Sequence, residues 1–207
     1  MHKPYLIDGY KFDLRIYVLL AGVNPLRVFL YKEGLARFAT VKYESPQPSN
    51  LDNLFMHLTN YAINKDNDNF VANESETHDD IGSKRSFTSV LKRITEEFGE
   101  ARCQKVIQEI KDLVVKTLCI AQPFLSHLYK TCQPDDLENS LCCQVLGFDV
   151  MLDHSLTAQL LEVNQSPSFT TDSPLDMKIK KALITDTIKI WNLSLKRKLR
   201  SKNDKKA

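Results

Sequence analysis

Alternating apolar and polar residues run through the N-terminal part of the chain and predict β-strands rather than helices. The pattern predicts a β-meander with strands at 12–20, 26–31 and 35–40 and turns at 22–25 and 32–34. Because side chains alternate between the faces of a strand, Lys11, Asp13 and Arg15 share one face, and the apolar residues between them face a core. The charged face is either a solvated ladder of ion pairs or a surface that contacts phosphate groups.

Helical periodicity replaces this alternation in the middle of the chain. One helix is predicted to begin near Ser86 and a second near Arg102. We expect Pro123 to kink or end the second helix and Cys119 to lie in the core. The apolar stripes consist of Val90, Leu91, Ile94 and Phe98 in the first helix, and of Val106, Ile107, Ile110, Leu113, Val114 and Leu118 in the second.

A third helix, near the C-terminus, has clear start signals. Ser173 suits the N-cap, Pro174 the first helical position and Asp176 the third. Lysines at 178, 180 and 181 oppose the helix dipole, which indicates either an anionic ligand or a solvated face. The expected apolar side of this helix carries Ile179, Ala182, Leu183, Ile190 and Leu193.

The segment 41–85 lacks regular periodicity and is predicted to be a long surface loop. Within it, 57–64 is predicted to form a short, half-apolar strand whose Thr59 and Asn60 can hydrogen-bond the hydroxyls of a ligand. Farther on, Lys84 and Arg85 come just before a helix. That arrangement is typical of an anion site or of a basic surface turn.

Two apolar runs, 145–152 and 159–164, flank a turn at 154–157 and predict an antiparallel hairpin. The register places Asp149 opposite Glu162, and Asn164 projects from the same face as Glu162. Two carboxylates this close repel by about 4 kcal/mol at an effective dielectric near 20, so they require a cation or a shared proton. Three oxygen ligands predict a magnesium site, with an exposed hairpin edge as the structural alternative.

Composition narrows the class of protein. The chain has 207 residues, 43% of them hydrophobic, and a formal net charge of +2, which suits a globular domain and excludes a strongly basic nucleic-acid coat protein. Its five cysteines lack zinc-ligand spacing, so we expect reduced cytosolic thiols. No apolar run reaches the ~20 residues of a membrane span, and no signal-peptide core follows Met1.

Residues 195–207 form a basic tail in which Asp204 is the single acidic residue. Such a tail suits an acidic partner, or it is an ordinary solvated terminus. Nucleic acid is disfavoured as the partner, because no aromatic residues interleave the basic ones.

Six short motifs occur along the chain, namely KFDLR at 11–15, YKEGLAR at 31–37, HLTNY at 57–61, GSKR at 82–85, GFD at 147–149 and LEVNQSPS at 161–168. In order and spacing they resemble the tubulin tyrosine ligase-like family, over residues 4–192. The segment FTTDS at 169–173, followed by Leu175 and Asp176, is similar to the branch that lengthens glutamate chains. Gln165 departs from that branch, whose members tend to carry histidine there, so initiation versus elongation stays open.

The resemblance implies an α+β fold of the ATP-grasp type, of which this chain is a part. We expect 1–194 to be the C-terminal part of the catalytic domain and 195–207 to be a separate basic tail. The chain begins where the family is already well into its nucleotide-binding domain, so the N-terminal portion of the fold is expected to be absent. We therefore expect no ligase activity from these 207 residues alone.

The resemblance also implies roles for individual residues. Arg15 and Arg37 are implied as catalytic residues. The implied ATP-binding residues are Lys11, Asp13, Thr59 and Asn60. The implied Mg²⁺ ligands are Asp149, Glu162 and Asn164. The implied pocket for free glutamate contains Arg37, Tyr61, Ser83, Lys84 and Lys180.

The implied function is a ligase that uses ATP and Mg²⁺ to add glutamate to tubulin C-terminal tails through an acyl-phosphate intermediate. The expected partners are tubulin or microtubules and free L-glutamate, without nucleic acid or membrane. We expect a monomer of the cytoplasm and cytoskeleton, with the cilium or basal body as a further location. Two alternatives are a relative that adds glycine or another amino acid, and a non-catalytic module that binds acidic tubulin tails.

Overall fold

An antiparallel β-sheet with helices on both faces forms the part of the chain that the computed structural model describes, residues 3–75, 79–136 and 141–192. The strands are β1 (Leu6–Ile7), β2 (Tyr10–Val23), β3 (Leu26–Phe38), β4 (Lys84–Ser86), β5 (Gln144–Leu152) and β6 (Ala158–Asn164). The helices are α1 (Leu54–His57), α2 (Tyr61–Asn64), α3 (Phe87–Phe98), α4 (Glu100–Cys132) and α5 (Pro174–Trp191). This mixed architecture agrees with the predicted α+β class.

The sheet order is β4-β3-β2-β5-β6, with β1 paired to β2, and neighbouring strands are antiparallel. The long strand β2 lies at the centre, so its side chains reach both the helical layer and the opposite face. None of the helices in the described ranges is both long and apolar enough to cross a lipid bilayer. The predicted basic tail lies outside the described residues.

The larger core lies between the sheet and helices α3 and α4. Phe12, Leu14 and Ile16 of β2 are at most 1% exposed and contribute to it, as the alternation predicts. Burial of each such side chain stabilises the fold by roughly 1.5–3 kcal/mol. The predicted α4 stripe is confirmed as well, with Val106, Ile110, Val114 and Leu118 buried and Ile107 and Leu113 packed against them.

A smaller core lies on the opposite face of the sheet. Tyr17 and Leu35 pack there against Leu175, Ile179 and Leu183 of helix α5. The start of α5 is as predicted, since the Ser173 side chain accepts a hydrogen bond from the Asp176 amide and Pro174 begins the helix. This packing fixes the N-terminal end of α5 over the face that carries the charged residues of β2.

The predicted turn at 32–34 is wrong, because β3 runs through it as one strand. Gly34 pairs with Ile16, and the register shifts between Ile16 and Val18. A Cβ on Gly34 would lie 2.5 Å from the backbone oxygen of Arg15, so only glycine allows this close approach. The third strand of the predicted meander is therefore the second half of β3.

The predicted strand at 57–64 is also wrong, since α1 ends at His57 and α2 begins at Tyr61. The buried side chain of Asn64 explains the difference. Its oxygen accepts hydrogen bonds from the Thr40 amide and hydroxyl, and its nitrogen donates to the Leu58 and Asn60 carbonyls. These bonds favour a compact turn over extended backbone.

Helix α4 continues through Pro123 to Cys132. Of the two predicted effects of Pro123, the end of the helix is therefore wrong. Tertiary contacts hold the helix on both sides of the proline. Gln122, just before it, donates a hydrogen bond to the Val23 carbonyl, and Leu125 and Tyr129, beyond it, pack against the core. Cys119 is exposed, contrary to the prediction, because it follows the buried Leu118 and is rotated about 100° around the helix.

Two further apolar predictions are wrong at helix surfaces. Phe98 is 48% exposed at the end of α3, and both Ala182 and Ile190 are exposed on α5. Periodicity identifies a helix face, but it does not show how far the sheet beneath extends to cover that face. Leu193 lies outside the described residues. The predicted start of α3 is confirmed, because Ser86 caps it by accepting a hydrogen bond from the Ser89 amide.

Candidate active site

One face of the sheet carries a band of charged side chains that crosses five strands. We use the name charged band for these six residues: Lys84, Arg37, Asp13, Arg15, Asp149 and Glu162. Its cross-strand partners are Lys84 and Arg37, Arg37 and Asp13, Arg15 and Asp149, and Asp149 and Glu162.

Asp149 lies at the centre of the charged band and contacts two arginines. Arg15 donates to both of its oxygens, from Nε to Oδ1 and from Nη2 to Oδ2, the latter at 2.9 Å. Arg37 donates to Oδ2 at 2.6 Å and also forms a two-point contact with Asp13, at 2.8 and 2.5 Å. Paired contacts of this kind fix the planar guanidinium groups in position. Both arginines are therefore oriented by carboxylates on neighbouring strands.

Burial makes these contacts stronger than surface ion pairs. Asp13 and Asp149 are each 3% exposed. Burial alone raises the pKa of Asp149, but the hydrogen bond from Arg15 and the charge of Arg37 outweigh it and hold the pKa below its usual value. For Arg37, burial lowers the pKa, whereas Asp13 and Asp149 raise it above the usual value. Asp149 and Arg37 are thus both ionised near neutral pH.

Gly147, two residues before Asp149, leaves room for the Arg15 side chain. A Cβ at this position would lie 3.1 Å from Cδ of Arg15 and 3.1 Å from Cβ of Pro167. The GFD motif therefore has a steric role as well as an acidic one, because any larger residue would push Arg15 away from the carboxylate.

The predicted hairpin and its register are confirmed, with Asp149 directly opposite Glu162. A register shift follows Asp149, where the pairing continues with Val150 opposite Leu160. Asn164 lies on the same side as Glu162, and its amide nitrogen donates to the Glu162 carboxylate at 3.0 Å. Asp149 is buried, whereas Glu162 is exposed on the edge strand.

These three side chains fit the ligand chemistry of Mg²⁺, which prefers carboxylate and amide oxygens and retains several waters. Within the described residues, no group of three or more His, Cys, Asp or Glu side chains is arranged to hold a metal ion. A metal bound here would have the carboxylates of Asp149 and Glu162, and Asn164 would have to supply the third protein oxygen. The amide oxygen is available for this, because the contact to Glu162 uses the nitrogen.

Lys11 projects from the charged face toward the loop that precedes α2. Its ammonium group donates to the His57 carbonyl at 2.6 Å. Burial lowers the pKa of Lys11, and the charge of Asp13 opposes this shift. Thr59 is buried and Asn60 exposed in the short connection between α1 and α2. The structure therefore brings Lys11 close to the connection that carries Thr59 and Asn60, whereas Asp13, two residues along β2, pairs with Arg37.

A second cluster lies where β4 meets the start of α5. The Lys84 ammonium group lies 3.6 Å from the centre of the Tyr61 ring and donates to Asp176 at 2.7 Å. Lys180 is 3.1 Å from the same carboxylate and donates to the Thr170 carbonyl at 2.5 Å. Three of the predicted glutamate-binding residues, Tyr61, Lys84 and Lys180, thus surround one buried aspartate.

The sequence analysis predicts Asp176 at a helix start and within the segment that resembles the chain-lengthening branch, but it does not predict the contacts of Asp176 with two lysines. Burial raises its pKa, but Lys84 first and then Lys180 lower it, and the balance lies below the usual value. The i,i+4 spacing to Lys180 was a signal for one of these contacts. Lys84 is 92 residues away in sequence, so local spacing could not reveal it.

One of the two predictions for segment 82–85, an anion site formed by both cations, is wrong. Lys84 and Arg85 are consecutive on β4 and project to opposite faces, and Arg85 contacts Asp8 and the Phe38 ring. Ser83 is buried, and its hydroxyl accepts a hydrogen bond from the Val71 amide. Ser83 therefore anchors the loop beside the cluster.

Fold and site together define an α+β domain whose charged sheet face combines basic side chains with carboxylate and amide oxygens. The sequence profile described as "Tubulin-tyrosine ligase family" matches residues 1–200. The chain belongs to this family.

Individual relatives align with nearly all of the chain. It is 50% identical over 206 residues to "Probable beta-tubulin polyglutamylase" of Tetrahymena thermophila, covering 100% of this chain and 17% of that protein. It is 50% identical to "Tubulin polyglutamylase ttll6" of Danio rerio and 48% identical to "Tubulin polyglutamylase TTLL6" of Homo sapiens, over 93% and 92% of this chain. The chain spans 24% and 21% of the length of these two relatives.

Proposed function

We propose that this chain supplies one wall of the active site of a tubulin polyglutamylase, a ligase that adds glutamate to the acidic C-terminal tails of tubulin. The charged band supports the proposal, because two oriented arginines lie beside the carboxylates of Asp149 and Glu162. The names of the relatives support tubulin as the substrate. We further propose that the catalytic domain has an ATP-grasp fold and that this chain is its C-terminal part.

The proposed reaction begins when a carboxylate of the tubulin tail attacks the γ-phosphate of ATP and ADP leaves. Arg15 and Arg37 are placed to neutralise the negative charge of the transferring phosphoryl group. The amine of free glutamate then attacks the acyl phosphate, an amide bond forms and phosphate leaves. Lys11, Asp13, Thr59 and Asn60 are proposed to bind the nucleotide.

Asp149, Glu162 and Asn164 are proposed to hold Mg²⁺. The metal would neutralise phosphate oxygens during transfer, as it does in other phosphoryl-transfer enzymes. Asp149 would then have two roles, because the same carboxylate also orients Arg15 and Arg37.

Free glutamate is proposed to bind near Arg37, Tyr61, Ser83, Lys84 and Lys180. Cationic groups suit this substrate, since glutamate carries two carboxylates and one ammonium group. Lys84 and Lys180 are both buried beside Tyr61 and Asp176, which favours glutamate over glycine because glycine lacks the second carboxylate.

Mass spectrometry of tubulin tails tests this function. The full-length protein is incubated with tubulin, ATP, Mg²⁺ and an equimolar mixture of amino acids. We expect mass increments of glutamate residues that require both ATP and Mg²⁺. Increments of glycine residues would support the alternative ligase, and microtubule binding without any increment would support a non-catalytic module. In cells we propose a cytoplasmic, microtubule-associated monomer, with cilia or basal bodies as a further location and with neither nucleic acid nor membrane as a partner.

A further inference from the structure

Asp176 has contacts that its place at the start of helix α5 does not explain. The residue is 0% exposed. Lys84 donates to Oδ2 at 2.7 Å, and Lys180 lies 3.1 Å from Oδ1 as an ion pair. Within the described residues, Oδ1 accepts no hydrogen bond of good geometry, so the contact from Lys180 is electrostatic rather than directional. One carboxylate thus holds two ammonium groups, one on each oxygen.

Helix capping alone accounts for only part of this arrangement. The Ser173 hydroxyl accepts from the Asp176 amide at 3.2 Å and donates to Oδ2 at 3.0 Å. A carboxylate in the first turn also interacts favourably with the helix dipole, even on a protein surface. Neither effect requires two buried lysines. Removing them from water is unfavourable unless the site gains something in return.

The charge balance of the cluster indicates an anionic ligand. Lys84 and Lys180 are 6% and 7% exposed, and their other near contacts are the neutral ring of Tyr61 and the carbonyl of Thr170. Two buried ammonium groups therefore face one buried carboxylate. The Tyr61 hydroxyl donates a hydrogen bond to the carboxylate of Asp172, which is exposed. A ligand carboxylate would balance the buried charge.

We propose that Asp176 is a positioning residue for the amino-acid substrate. Its two oxygens fix the Lys84 and Lys180 ammonium groups relative to each other, so that both can meet one carboxylate of the incoming amino acid. Asp176 itself does not touch the substrate, because it is fully buried beneath the two lysines. The inference rests on the proposed function, in which these lysines bind free glutamate.

The test compares two variants of the full-length protein at the same helix start. Asp176→Asn keeps the size of the side chain but loses the charge that holds the lysines. We expect the KM for glutamate to rise by about tenfold, the effect of one lost charge-assisted hydrogen bond, with kcat and the KM for ATP within about twofold of wild type. Ser173→Ala is the matched control. It removes the cap and one neutral hydrogen bond to Oδ2, but it keeps the Asp176 carboxylate and both lysine contacts. We therefore expect a lower thermal midpoint and an unchanged KM for glutamate.

An unchanged KM for glutamate in Asp176→Asn, or an equal rise in Ser173→Ala, would overturn the inference. If Asp176→Asn does not fold, Asp176→Glu replaces it. That variant keeps the charge but moves the carboxylate by one methylene group, so the KM for glutamate still has to rise, and a wild-type value refutes the proposal. Absence of glutamate incorporation by the wild-type protein would refute the proposed function instead.

Discussion

Replacing Asp149 with asparagine should impair both stability and chemistry, because the carboxylate has two sets of contacts. It is 3% exposed and accepts three hydrogen bonds from Arg15 and Arg37. Asp149→Asn leaves Arg15, whose side chain is only 13% exposed, without its counter-ion, whereas Arg37 retains Asp13. Breaking a buried ion pair by removing one partner costs about 3–5 kcal/mol. For a domain of this size that corresponds to a fall in thermal midpoint on the order of 10 °C.

Glu162→Gln is the matched comparison, because Glu162 is the cross-strand partner of Asp149 but is exposed. We expect its effect on stability to stay within about 0.5 kcal/mol. Its effect on the reaction should be large, since a lost unit charge about 4 Å from a cation corresponds to about 4 kcal/mol at an effective dielectric near 20. That is on the order of a thousandfold in rate.

Thermal unfolding and glutamate incorporation, measured on both full-length variants, separate the two effects. Both variants should lose incorporation, and only Asp149→Asn should lose stability. Adding Arg15→Met to Asp149→Asn should restore part of the stability but none of the activity, because it removes the uncompensated buried charge. Equal destabilisation by both single variants, or more than a tenth of wild-type incorporation in Glu162→Gln, would refute the reasoning.

Three further predictions follow from individual contacts. Phe148→Ala should lower the free energy of unfolding by about 3–5 kcal/mol in a denaturant titration, because Phe148 is 0% exposed in the larger core. Lys11→Met should raise the KM for ATP by about 10- to 100-fold and leave the KM for glutamate unchanged. The reason is that Lys11 contacts the end of α1 at His57, beside the proposed ATP-binding residues, rather than α5. The folded-state pKa of Asp176 is below its usual value. Its contribution to stability is therefore present above about pH 3.9 and is lost as the pH falls through the folded-state pKa. Unfolding midpoints measured at decreasing pH should show this loss in the wild type but not in Asp176→Asn.

The hairpin of Asp149 and Glu162 could be predicted because two short-range features fix its register. Alternation places Glu162 and Asn164 on one face of β6, and the short turn at 154–157 sets Asp149 opposite Glu162. Burial does not fix this register, because Leu160, Leu161 and Val163 of the edge strand are exposed. Other elements depend on single contacts that no pattern reveals. Gly34 resembles a turn residue, but it allows β3 to approach β2, and Asn64 turns a half-apolar segment into two short helices by bonding Thr40.

Long-range charge pairing was the hardest part of the site to predict. Alternation shows that Asp13 and Arg15 share a face, but not that each pairs with a residue far along the chain. Arg15 and Asp149 are separated by 134 residues, and Arg37 and Asp149 by 112. Such pairs depend on strand order, which the sequence alone does not specify. Resemblance to a family identified the residues, and only the sheet showed which of them interact.

The order of the strands also explains why one carboxylate serves both arginines and the proposed metal. β5 lies between β2, which carries Arg15, and β6, which carries Glu162. Asp149 is therefore within reach of basic groups on one side and of an acidic ligand on the other. A phosphate group placed over Asp149 would meet arginine from β2 and magnesium from the β5-β6 side at once. Moving this aspartate to either neighbouring strand would separate the two sources of positive charge, which is the physical reason why its position at the centre of the band matters.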